Sequence, residues 1–289
     1  MKNIVLFDLI RSRYLLYSLS VFAFSPALSQ STKQADSITI NNSARYKITE
    51  LARIPSGVMG MDIDQDGVLY LSDTYSRLDN ESRIYTLNPP YTGTLAMTAI
   101  EGQSLAGLMW HGDLLYTAFL NKDEVVIYDR DLEFQVAWPA PSPINFTSDG
   151  RTIFVLTYFG EIGALTRSRI RMFVNDLQNP FDIQFTGHES IWVSQKGMKL
   201  TEIGYEGDIL RMLDLPLKEP RGLAMDDHGC LFIADAGTDT IYCIDPEGSV
   251  SVVTSAYKSP ICIVSLPNGD LLINTDQDGG LLIRASRVR

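Results

Sequence analysis

A unit of about 40 residues recurs six times along this chain, and no other feature restricts the fold as strongly. Its clearest copy is PRGLAMDDHGCLFIADAGTDTIYCIDPEGSV, from Pro220 to Val250. A proline turn leads into an apolar strand, a Gly-centred turn follows, and two further strands come after it. Anchored on that turn, the copies centre on Gly67, Gly112, Gly150, Glu189, Gly229 and Gly269, at intervals of 45, 38, 39, 40 and 40 residues. Each anchor is followed by a segment such as VLYLSD, TIFVLT or CLFIAD, rich in β-branched and aromatic residues as strands require. Six such units predict an all-β fold, a six-bladed β-propeller. The last copy stops after its third strand, and an unassigned strand, Ala44 to Ile54, precedes the first. That strand is expected to complete the sixth blade and close the ring, removing an open edge.

The domain reading is a leader over residues 1–29, a polar segment over 30–43 and the propeller over 44–289. Lys2, Arg11 and Arg13 flank the apolar YLLYSLSVFAF, and small residues at Ala27 and Ser29 suit signal-peptidase cleavage before Gln30. The apolar run is short for a membrane span. The expectation is a secreted or periplasmic protein with no stable membrane insertion after cleavage. Sequons at Asn41, Asn80 and Asn145 agree with export from a eukaryotic host. A net charge of -11 argues against a nucleic-acid partner, which needs clustered cations, and favours a soluble monomer. Of Cys230, Cys243 and Cys262, the first two lie on strands expected to pair, two residues out of register. A disulfide and buried free thiols both remain open there.

The fifth copy, P-R-G-L-A-M-D-D-H-G-C-L-F-I-A-D, resembles an NHL-type repeat, and the six-copy length is similar to the SMP-30/gluconolactonase and paraoxonase-like propellers. That resemblance implies a ligand site at one mouth of the central channel. It also implies a catalytic calcium held by acidic and amide side chains. The implied glutamate, asparagine and aspartate fall at Met59, Ser142 and Phe181, none of which matches. Calcium takes about six to eight oxygens, so the expected cofactor is none. Asp182 and Asn145 are the residues left to hold calcium if it binds.

Counted back from the anchors, the channel column reads Met59, Ser104, Ser142, Phe181, Arg221 and Ile261. Met59, Phe181 and Ile261 make an apolar wall, with Trp110, Phe146 and Tyr158 near it. Ser104, Ser142, Arg221 and Asp182 supply polar handles, Asp182 entering where a bulge shifts its strand by one. Such a wall with a few convergent polar groups suits a small molecule. Arg221 is expected either to clamp an anionic oxygen or to pair with Asp182. His111, His188 and His228 share a column with turn residues and are read as turn residues at the far mouth. The catalytic candidates are therefore Arg221, Asp182 and Ser142, acting without metal on an apolar substrate in a cyclase, isomerase or pericyclase reaction. The alternatives are a calcium-dependent lactonase or esterase and a non-catalytic ligand- or protein-binding propeller.

Overall fold

The computed structural model describes residues 36–37, 40–41, 46–73, 81–102, 104–166, 169–197 and 200–288. The leader over 1–29, the sequon at Asn80 and most of the loop between Asp73 and Ser82 lie outside these residues. The described residues form six four-stranded antiparallel blades. The innermost strands are Val58–Ile63, Leu105–His111, Pro143–Ser148, Pro180–Phe185, Pro220–Met225 and Pro260–Ser265. Each packs on the next, and the last packs back on the first, closing a ring. This is the expected six-bladed propeller.

The second strand of every blade carries the burial. Leu69–Asp73, Ile153–Thr157, Ser190–Gln195, Leu231–Asp235 and Leu271–Thr275 are buried at every position. A strand flanked by blades on both faces has no polar side, which explains the continuous apolar runs that set the repeat. Phe232 and Phe119 are fully buried between blades, and burying such a side chain stabilises by about 1.5–3 kcal/mol. Polar residues in these strands serve the turns. Asp235, with no exposed surface, accepts from the amides of Lys218, Glu219 and Gly237 and from the Thr238 hydroxyl.

Closure follows the expected route. Tyr46–Arg53 pairs antiparallel with Leu281–Arg287 as the outermost strand of blade 6. Upstream, Asp36–Ser37 and Ile40–Asn41 add short parallel pairings to the outer strands of blades 4 and 5. The chain thus runs along three successive blade edges before entering blade 1. Phe232, two residues from Cys230, stands opposite Cys243, and all three cysteines are buried free thiols. Cys230 and Cys243 are neighbouring thiols, linked by a side-chain hydrogen bond.

Candidate functional site in the channel

Every innermost strand bulges near its start. The register slips between Val58 and Gly60, Pro143 and Asn145, Pro180 and Asp182, and Pro220 and Gly222. In blades 2 and 6 it slips across two residues, between Leu105 and Leu108 and between Pro260 and Ile263. A bulge re-aims the side chains after it. The residues following the bulge form one level of the ring: Gly60, Gly107, Asn145, Asp182, Gly222 and Cys262. Two residues deeper lie Asp62, Met109, Thr147, Gln184, Ala224 and Val264. Both levels surround a cavity of about 310 Å³, enclosed by the innermost strands of all six blades. That volume suits a small ligand.

Several sequence assignments move as a result. In blades 2 and 3 the turn before the anchor glycine is two residues shorter than in the other blades, because Trp110 pairs with Leu115 and Ser148 with Ile153. The column there belongs to Ala106 and Ile144, and Ser104 and Ser142 sit outside the cavity. The Ser104 hydroxyl takes a bond from Asn121, while Ser142 bonds Asp123 through its amide and hydroxyl. Ile261 packs into the core between blades 6 and 1, and Tyr158 is 49% exposed on a loop. Met59, Asn145, Asp182 and Arg221 do line the cavity. His188 and His228 occupy turns, whereas His111 ends a strand, its Nδ1 3.1 Å from Ser148 Oγ.

Asp182 is the centre of the upper level. Its Oδ1 accepts from the Asn145 side-chain amide of blade 3 at 2.5 Å and from the Ile183 amide at 2.8 Å. Its Oδ2 accepts from the Leu223 amide of blade 5 at 2.6 Å. One carboxylate thus pins three blades. Burial pushes its pKa up to about 7, outweighing these donors, which pull it down. Asp62 repeats the device at the deeper level, accepting from the Ile63 amide at 2.8 Å and from Trp110 of blade 2 at 2.7 Å. Burial raises it to about 7 as well, the two amides lowering it and the charge of Asp64 adding a rise. Asp62 is part-buried and Asp182 buried. Thr147 accepts from the Phe185 amide in the same inter-blade manner.

Arg221 does not pair with Asp182. Its guanidinium bonds the Glu219 carboxylate through Nε at 3.0 Å and through Nη2. It also lies 4.8 Å from the centroid of the Phe181 ring. Phe181 therefore serves as a platform for Arg221, and Lys196 stands 3.8 Å from the same glutamate. Arg221 is thus already matched by a carboxylate.

The donor set does not fit calcium. The upper level has two oxygen-bearing side chains beside three glycines and a thiol, and calcium needs about six to eight oxygens. Asn145 turns its NH2 to Asp182 and its oxygen to the Phe146 amide. Among the described residues no three of His, Cys, Asp and Glu stand together.

No family model matches the chain, and no curated protein does. Solved structures do. A gluconolactonase from Xanthomonas campestris is 14% identical with a TM-score of 0.69, over 85% of this chain and 92% of its own. Regucalcin, a calcium-binding protein from Agrobacterium tumefaciens, matches at 14% identity and TM-score 0.67, over 84% and 94%. In fold, the chain resembles the SMP-30/gluconolactonase superfamily. Virginiamycin B lyase from Staphylococcus aureus, solved with quinupristin, also matches at 14% identity and TM-score 0.63, over 84% of this chain and 100% of its own. Identities this low establish shared architecture, so the chemistry must be read from the channel.

The raised carboxyls make stability depend on pH in a defined direction. Between about pH 4 and 7 the unfolded chain ionises Asp182 while the folded chain keeps it protonated. Its contribution is full below pH 4 and is lost as pH rises through about 7. Asp182→Asn, which mimics the protonated form, is therefore expected to lose this dependence. The wild type should melt at a lower temperature relative to the variant at pH 8 than at pH 5. A gap that does not change with pH would contradict the assignment.

Proposed function

We propose that this chain is an exported propeller enzyme acting without metal on a small molecule in its channel, by isomerase- or cyclase-type chemistry. The observation that carries this reading is Asp182: a carboxyl poised between its two protonation states near neutral pH, fixed by three donors, on the wall of the central cavity. A group with a pKa near the working pH is suited to both giving and taking a proton. Asn145 and the Leu223 amide hold it in place, which is the preorganisation such catalysis uses. Arg221, tied to Glu219 and Phe181, borders the mouth and positions the entering ligand. Ser142 has no part in this reading. The poor fit of the donor set to calcium weighs against a calcium-dependent lactonase, although gluconolactonase shares the architecture.

The test is consumption of compounds from a small-molecule extract of the source organism, followed by mass spectrometry. The wild-type protein should deplete one or a few compounds, with and without a calcium chelator, and Asp182→Asn should leave them untouched. Identical depletion by both proteins, or activity that the chelator abolishes, would contradict it.

A further inference from the structure

Among the described residues, the cavity wall carries two carboxyls and no unpaired Lys, Arg or His to balance them. Asp62 belongs to blade 1 and Asp182 to blade 4, three blades apart in a ring of six and therefore on opposite walls of one cavity. Arg221, the only Lys, Arg or His among the described residues that line the cavity, is engaged by Glu219 and stacked on Phe181. The other titratable groups facing the pair are few. Asp64 stands beside Asp62, and Tyr70 is opposite it in the register, with its hydroxyl on Asp64. From blade 6 comes Cys262, a thiol that burial keeps neutral. Blade 3 offers Asp182 only the Asn145 amide and hydroxyls, and His111 of blade 2 is turned to Ser148. The wall between the carboxyls includes Met61, Met109, Met225 and Phe146. Polarisable thioethers and ring faces are good neighbours for the carbon skeleton of an organic cation.

We infer that the channel's ligand is a small organic monocation, an amine carrying its positive charge between Asp62 and Asp182. This rests on the channel being the ligand site and narrows the substrate class. It replaces the anion expected from Arg221 alone. An entering ammonium supplies the counter-charge that burial denies the carboxyls, and so favours their ionised forms. Near pH 7 each carboxyl is about half protonated, so binding should expel up to about one proton in total. An anion meets repulsion on both walls.

Benzylamine, benzyl alcohol and benzoate, equal in ring size and different in charge, serve as probes in titration calorimetry with the full-length mature protein. At pH 8 benzylamine should bind about tenfold or more tightly than benzyl alcohol, a difference of about 1.4 kcal/mol. That advantage should vanish at pH 5 in the wild type and shrink at pH 8 in Asp62→Asn, where Asp182 alone is ionised, and heats in buffers of different ionisation enthalpy should report proton release at pH 7. Met109→Trp, which fills the channel, should abolish binding. Equal or tighter binding of the alcohol or benzoate, lost in Met109→Trp, would overturn the cation inference and leave the channel as the site. Probe binding indifferent to Met109→Trp would overturn the channel reading itself. Failure of benzylamine to bind the wild type at pH 8 would overturn the inference. The wild-type pH comparison decides the matter even if a variant does not fold.

Discussion

Asp182→Ala should cost the propeller about 3 kcal/mol or more in unfolding free energy, because it strips the acceptor from three buried donors at once. The Leu223 and Ile183 amides and the Asn145 side-chain amide all bond this carboxyl, and each buried donor left without a partner costs about 1–3 kcal/mol. The channel gives water partial access, which keeps the sum toward the lower end. Asp182→Asn retains carbonyl acceptance and most of the packing volume, so its loss should be clearly smaller, while proton transfer at that position is gone. Urea denaturation of the two variants separates the structural role from the chemical one. An alanine variant within about 0.5 kcal/mol of wild type, the range of ordinary surface substitutions, would mean the inter-blade bonds contribute little.

Gly222→Ala is the second large effect. A Cβ at Gly222 would overlap the Ile261 carbonyl oxygen and lie 3.1 Å from Cys262 Cα. Both obstacles are backbone, so no side chain can swing aside, and blades 5 and 6 would have to part. Gly107 stands in the same relation to blade 3, where a Cβ would come within 2.5 Å of the Ile144 carbonyl oxygen. Overpacking of this kind costs about 1–3 kcal/mol, and here it also splays the channel wall beside Asp182. Gly93, with nothing within 4 Å of an added Cβ, is the matched control. Thermal melts should show a drop of several degrees for Gly222→Ala and almost none for Gly93→Ala. Equal melts would contradict the close approach.

The propeller was legible because burial from both sides forces the second strand of each blade to be continuously apolar, and the glycine turn before it punctuates every copy. Closure by the strand before the first copy was legible from a simple shortfall of one strand in the last. The channel column was less so. Counting back from the glycine assumes turns of equal length, and the shorter turns before Gly112 and Gly150 displaced Ser104 and Ser142 by two residues. The bulges did the rest. They decide which side chain of each inner strand meets the channel, and a bulge is a property of the pairing that period-2 patterning does not carry.

Asp182 and Asn145 are visible in the sequence as residues displaced from the column, whereas Asp62 lies outside the residues that the column singles out. Its signal was present in MGMDID, where a carboxylate interrupts a strand otherwise fit for burial. Such a residue needs partners or a raised pKa, and Asp62 has both. Arg221 lines the cavity, and its partner Glu219 stands two residues before it in the sequence. Two positions apart along an extended strand, side chains fall on the same face, so that pairing was open to sequence reasoning.

The calcium content of the purified mature protein after exhaustive dialysis tests the central claim most directly. A channel whose upper level presents only Asp182 and Asn145 as oxygen ligands predicts well under one equivalent, unchanged in Asp182→Asn. About one tightly held equivalent, lost in that variant, would contradict the account and make calcium the centre of the chemistry.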